Sequence, residues 1–156
     1  MMCFRNIYKD KTVLVTGHTG FKGSWLTTWL SHLGANVVGL SLDVPTVPSN
    51  YEASNVSQNI IDNRFNILNV KKLNQLIVNC EPDFVFHLAA QALVRFSYEN
   101  PLDTLLINSM GVANVLDALR LLNKPVIAVM ITSDKAYDNV EWVWGYRETD
   151  RLGGKD

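Results

Sequence analysis

Thr16-Gly17-His18-Thr19-Gly20-Phe21-Lys22-Gly23 decides how this chain folds. The β-branched run Thr12-Val13-Leu14-Val15-Thr16 before it reads as a buried strand. After it, apolar residues recur with helical spacing at Phe21, Trp25, Leu26, Trp29, Leu30 and Leu33, and Gly34 follows as a C-cap. A strand, a glycine turn and a helix in that order form a phosphate-binding unit. Gly17 permits the sharp exit from the strand, Gly20 lets a pyrophosphate come close to the backbone, and Gly23 allows tight packing of helix on sheet. The helix N-terminus adds free N–H groups and the positive end of a dipole. His18, Thr19, Phe21 and Lys22 complete the turn and are candidate cofactor contacts beside the three glycines. A P-loop is excluded: it needs Lys directly after its last Gly and then Ser or Thr, whereas the order here is Lys22-Gly23-Ser24.

Working outward, residues 37–40 form a second strand that runs into Ser41-Leu42-Asp43. Ser41 holds the position where such folds place an acid for the adenosine ribose, and Asp43 lies two residues further on. Asp43 is either that ribose ligand or a solvated turn residue, and its spacing leaves both open. No Arg stands nearby in sequence to receive a 2′-phosphate, which favours NAD over NADP. Residues 43–59, with Pro45 and Pro48, read as loop, and 59–67 hold a short third strand. Residues 70–78 predict an amphipathic helix with Leu73, Leu76 and Ile77 inward. Residues 83–88 predict a fourth strand, 102–122 a long helix and 126–131 a fifth strand. This alternation predicts an α/β, Rossmann-like, doubly wound parallel sheet of order 3-2-1-4-5. The polar, glycine-rich stretch 134–156 carries no sixth strand.

The 156 residues suit one domain, and a formal net charge of −1 offers no footprint for nucleic acid or an anionic membrane. Cys3 and Cys80 lack metal-ligand spacing and read as reduced thiols of a cytoplasmic protein. The N-terminal residues lack a signal peptide's apolar run. His18, His32 and His87 are spread over turn, helix and strand, so no metal site is expected.

Further motifs narrow the reading. His87-Leu88-Ala89-Ala90-Gln91 follows the fourth strand, and Asn108-Ser109-Met110-Gly111 lies in the long helix. Thr132-Ser133-Asp134-Lys135-Ala136-Tyr137-Asp138-Asn139 ends the fifth strand and leads into Glu141-Trp142-Val143-Trp144-Gly145-Tyr146-Arg147-Glu148. With the glycine turn and Pro45-Thr46-Val47-Pro48-Ser49, these segments resemble the extended short-chain dehydrogenase/reductases, and among them the CDP-glucose 4,6-dehydratases. The resemblance spans nearly the whole chain. It implies a lyase with an internal redox cycle: hydride passes from sugar C4 to NAD, water leaves across C5–C6, and hydride returns at C6. The substrate class is CDP-glucose and the product class a CDP-4-keto-6-deoxyhexose of bacterial O-antigen biosynthesis.

The resemblance assigns roles residue by residue. Ser133 matches the group that hydrogen-bonds the C4 hydroxyl, Asp134 the acid that protonates the departing C6 oxygen, and Lys135 a member of the proton-transfer pair. Leu88, Ala89, Ala90 and Gln91 match the cofactor wall, and Thr132, beside the catalytic triplet, is a further cofactor contact. Asn108 braces the active-site strand, while Val94 and Arg95 approach the sugar nucleotide. Asn66-Ile67-Leu68-Asn69 replaces the family's Asp-Ile-Arg-Asp, so Asn66 and Ile67 stand at the adenine with an amide where an acid is usual. Ala92 replaces a usual proline.

The family's Tyr-x-x-x-Lys pair is not among these residues, because the sequence stops at Asp156 where Pro-Tyr would follow. The expectation is an incomplete NAD-binding domain, without the sugar-nucleotide domain, that does not turn over CDP-glucose alone. Helix 102–122 is apolar on two sides, and in the family it pairs in a dimeric four-helix bundle, so a homodimer is expected. Two other readings stay open: a non-catalytic NAD-binding or oligomerisation relic, or part of another nucleotide-sugar epimerase or dehydratase.

Overall fold

The computed structural model describes residues 3–153. Five strands, β1 (Thr12–Thr16), β2 (Asn36–Ser41), β3 (Ile61–Arg64), β4 (Phe84–His87) and β5 (Ile127–Met130), form one parallel sheet in the order β3-β2-β1-β4-β5. This is the predicted order. The chain steps outward from β1 to β3, then crosses back to begin β4 on the other side of β1. Between β1 and β4 lies the switch point where open α/β sheets hold ligands beyond their carboxyl ends. The register brings those ends level: Thr16 pairs with Leu40 and His87, Ser41 with Arg64, and His87 with Met130.

The inner strands are unbroken apolar runs because both sheet faces are covered. Side chains alternate across the sheet, so β1 serves two cores. Leu14 joins Val38, Leu40 and Val85 under Leu73 and Ile77 of α3 (Val70–Cys80) and Val115 and Ala118 of α6 (Gly111–Leu119). Val13, Val15 and Val37 face the opposite way, beneath Leu30 of α1 (Phe21–His32). The buried face of α1 is otherwise small, formed by Gly23, Ser24 and Thr27, which lets the helix lie close to the sheet. Its aromatic residues Phe21, Trp25 and Trp29 face outward. Gly34, at φ +82°, ends this helix in the left-handed conformation a glycine C-cap supplies.

Two predicted elements differ in detail. Residues 43–59 are not all loop: they hold α2 (Asn50–Ala53) and a 3₁₀ turn (Val56–Asn59). The Ser49 hydroxyl accepts the Glu52 N–H and donates to the Glu52 carboxylate, and this local capping outweighs the surrounding prolines. Helix 102–122 is not one regular α-helix: α5 (Pro101–Leu105) passes through a π turn (Leu106–Met110) into α6. A separate helix, α4 (Val94–Glu99), precedes them. After β5, a 3₁₀ turn (Asp134–Ala136) leads to a bridge between Tyr137 and Leu152. No helix among the described residues is long and apolar enough to cross a membrane.

Candidate functional site

The glycines of the turn differ in what they make room for. A Cβ on Gly17, whose φ is +75°, would lie 2.8 Å from the Leu88 and Ala89 backbone, so the turn touches the segment leaving β4. A Cβ on Gly23 would fall 2.0 Å from the Gly17 carbonyl oxygen, where helix and turn pack directly together. Gly20 is unlike both. It stands at the N-cap of α1 with φ −68°, and a Cβ there would meet nothing nearer than the Gly17 oxygen at 3.4 Å. The fold therefore does not demand glycine at position 20, and among the described residues no side chain caps the helix behind it.

Two hydrogen-bonded ties set the crevice. The Thr16 hydroxyl accepts the Leu88 and Ala89 N–H groups at 3.2 and 3.1 Å. With its oxygen so used, its proton donates to His87 Nδ1 at 2.7 Å. His87 is thereby neutral and protonated on Nε2, and its burial lowers its pKa. Further along, Asn108 uses both ends of its amide on one residue: Oδ1 accepts the Gln91 N–H at 2.8 Å, and Nδ2 donates to the Gln91 carbonyl at 3.0 Å. Asn108 sits in the π turn, whose wider spacing presents its amide to the main chain, as such bulges often do at functional sites. It braces the segment after β4, and the Gln91 side chain is held in turn by Leu93 and Thr104.

On the other flank, the buried His18 ring lies over Gly39, where a Cβ would come within 2.6 Å of it. Its Nε2 donates to Asp62 Oδ1 at 3.0 Å, and its Nδ1 lies 3.1 Å from the Ser41 hydroxyl. Burial lowers the His18 pKa despite Asp62. Ser41 also meets the Thr19 N–H at 3.4 Å, and the Thr19 hydroxyl donates to the Asp43 carbonyl at 2.6 Å. Ser41 thus turns its hydroxyl into the turn, while the Asp43 side chain is exposed on the rim.

Asp62 carries more than His18. It takes the Arg64 fork at 2.7 and 2.9 Å and the Tyr51 hydroxyl at 2.6 Å, and the Arg64 guanidinium lies 5.0 Å from the Tyr51 ring centre. Burial opposes ionisation of Asp62, but its bonds to Arg64 and Tyr51 together hold its pKa low. The premise that no Arg stands near the ribose position needs correction: the β2–β3 register sets Arg64 opposite Ser41. Sequence reasoning missed Tyr51, Asp62 and Arg64 as partners of the turn. Their one signal was opposite charges two apart on a strand, which place both side chains on one face.

The other candidates are spread along the same edge. Leu88, Ala89, Ala90 and Gln91 run from β4 beside the turn, and Phe21 and Lys22 are exposed in the first turn of α1. Thr132, Ser133, Asp134 and Lys135 leave β5 and are all exposed; Ser133 Oγ lies 3.2 Å from Asp134 Oδ1 and accepts the Lys135 N–H. Val94 and Arg95 begin α4, where Arg95 pairs with Glu99 at 3.4 Å. Asn66 is exposed and its Oδ1 accepts the Leu68 N–H at 2.8 Å, whereas the Ile67 side chain belongs to the core. Tyr137 stacks on Tyr146 at 5.3 Å, which supports the loop following the Ser133–Lys135 triplet.

The comparisons agree with this geometry. The chain is 47% identical over 155 residues to a CDP-glucose 4,6-dehydratase of Salmonella typhimurium strain LT2, across 99% of the chain and 43% of that protein. An epimerase, Mth375, from Methanothermobacter thermautotrophicus superposes with a TM-score of 0.77 at 32% identity, over 93% of this chain and 42% of that one. The UDP-glucose 4-epimerase of Thermus thermophilus, solved in complex with NAD, gives 0.79 at 27% identity over 92% of this chain and 45% of that one. The chain therefore spans less than half the length of these three relatives. The profile of the family described as GDP-mannose 4,6 dehydratase matches residues 14–154, nearly the whole sequence, and the chain belongs to that family.

Proposed function

We propose that the chain is the NAD-binding portion of a CDP-glucose 4,6-dehydratase, a lyase that forms CDP-4-keto-6-deoxyglucose and water. Gly20 is the observation that carries the cofactor reading. The chain keeps glycine where its own packing does not call for it, at an uncapped helix N-terminus, and a pyrophosphate needs that close backbone approach. When bound, NAD supplies the hydride acceptor that sugar oxidation requires. In this reading Gly17, His18, Thr19, Phe21, Lys22 and Gly23 shape the phosphate turn, Asp43 offers the ribose its carboxylate, and Asn66 offers the adenine its amide. Residues 88–91, held by Asn108, line the cofactor.

Identity to the Salmonella enzyme supports the sugar-nucleotide part. Ser133 orients the C4 hydroxyl, Asp134 gives a proton to the departing C6 oxygen, and Lys135 shares the proton transfer at C5 and C6, while Val94 and Arg95 approach the substrate. An epimerase needs no acid for a leaving hydroxyl, so an Asp-Lys pair directly after Ser133 favours the dehydratase over its epimerase relatives. The protein also forms a homodimer through the outer face of α5, the π turn and α6, where Leu102, Leu105, Leu106, Met110 and Leu116 are exposed. Titration calorimetry tests the cofactor reading. The folded chain is expected to bind NAD and Gly20→Val to lose that binding; a folded chain that takes up no NAD would refute it.

A further inference from the structure

A 2′-phosphate is what distinguishes NADP from NAD, and the β2–β3 edge carries a group able to bind it. Arg64 stands opposite Ser41, one strand spacing away from the end of β2. Its side chain is 31% exposed, and arginine forks are suited to phosphate oxygens. The fork is already engaged, however. Nε and one terminal nitrogen bond the two oxygens of Asp62, and the plane lies against Tyr51. Asp62 is itself fixed by Tyr51 on α2 and by His18 in the glycine turn. The one carboxylate therefore cancels the charge of Arg64 and fixes where its nitrogens point.

We propose that the Asp62–Arg64 pair sets the dinucleotide preference of this edge, with Asp62 holding Arg64 away from a 2′-phosphate and so selecting NAD. The proposal rests on the reading that the glycine turn binds a dinucleotide. A phosphate could capture Arg64 only by breaking a two-point ion pair that Tyr51 and His18 support. Beside an intact pair it meets the Asp62 carboxylate as well as the guanidinium, so no net attraction offsets the loss of its water. Removing the charge of Asp62, while keeping its shape, leaves Arg64 as an unpaired cation at the rim.

The experiment is calorimetric titration of NAD and NADP into the intact chain and into Asp62→Asn, with Asp62→Asn/Arg64→Gln as the third protein. Asp62→Asn is expected to shift the NAD-to-NADP affinity ratio toward NADP by about tenfold, the scale of one charge-assisted contact, and the double variant is expected to lose that shift. A ratio unchanged in Asp62→Asn, or a shift that survives Arg64→Gln, would overturn the role of the pair while leaving the dinucleotide reading intact. A folded wild-type chain that binds neither dinucleotide overturns both. If Asp62→Asn fails to fold, the salt dependence of the wild-type protein decides: NADP should show no more salt sensitivity than NAD, and a steeper loss of NADP with salt would mean that Arg64 already reaches the phosphate.

Discussion

Gly23 lies against Gly17 so closely that a Cβ on the first would stand 2.0 Å from the carbonyl oxygen of the second. Gly20, between them, has no such neighbour. The two positions should therefore fail differently. Gly23→Ala forces backbone to move and is expected to destabilise the protein by roughly 1–3 kcal/mol, measured as a lower denaturation midpoint. Gly20→Ala keeps an ordinary backbone angle and is expected to stay within about 1 kcal/mol of wild type while weakening NAD binding. Equal losses of stability in the two variants would contradict this division.

Thr16 and His87 predict a pH effect. His18 and His87 are both buried, and burial lowers both pKa values from the ordinary 6.5. Below that value the unfolded chain binds more protons than the folded chain, so stability falls with falling pH, by at most about 1.4 kcal/mol per unit for each histidine. Above it neither state is protonated, and the effect vanishes. Melting curves from neutral to mildly acidic pH should show the decline, and His87→Gln should make it shallower. A flat profile between about pH 7 and 5.5 would count against the buried, neutral histidines.

Thr16→Val tests the same tie from the other side. It keeps the shape of the side chain but leaves His87 Nδ1 and the Ala89 N–H without the hydroxyl that serves them, while the Leu88 N–H keeps its bond to the Thr16 carbonyl at 3.0 Å. The expected loss is roughly 1–3 kcal/mol, because a buried polar group stripped of its partner bears its full desolvation cost. Chemical denaturation reads it.

Asn108 predicts a local effect more than a global one. Asn108→Ala removes both bonds to the Gln91 main chain and is expected to cost about 1–2 kcal/mol. Hydrogen exchange should speed up at the Gln91 amide before it does in β1 or β4, and NAD should bind more weakly. Unchanged exchange at Gln91 would show that the wall of the crevice does not depend on this amide.

The outward leucines give the dimer its test. Leu105→Glu alters a side chain that is 61% exposed and outside the core, so the fold should be kept. Sedimentation is expected to show self-association in the wild type and its loss in the variant. A wild type that stays monomeric at high concentration would remove the proposed interface.

The order of the strands and the position of the glycine turn were legible in the sequence, because each rests on local rules. A buried strand shows as an apolar run, a helix as a repeat, and a phosphate turn as glycines at fixed spacing between them. Ser49 and Glu52 also carried a readable signal, a capping box, that the prolines around it masked. Other features depended on residues far apart in the chain. Tyr51, Asp62 and Arg64 meet His18 because β3 lies beside β2 and α2 folds back over it, which no spacing within the sequence encodes. The aromatic residues of α1 show the limit from the packing side. Phe21, Trp25 and Trp29 recur with helical spacing as core residues do, yet the sheet lies so close that only Gly23, Ser24, Thr27 and Leu30 fit beneath the helix. Periodicity identified that helix, but the distance of helix from sheet, set by the glycine contact at the turn, decided which of its faces is buried.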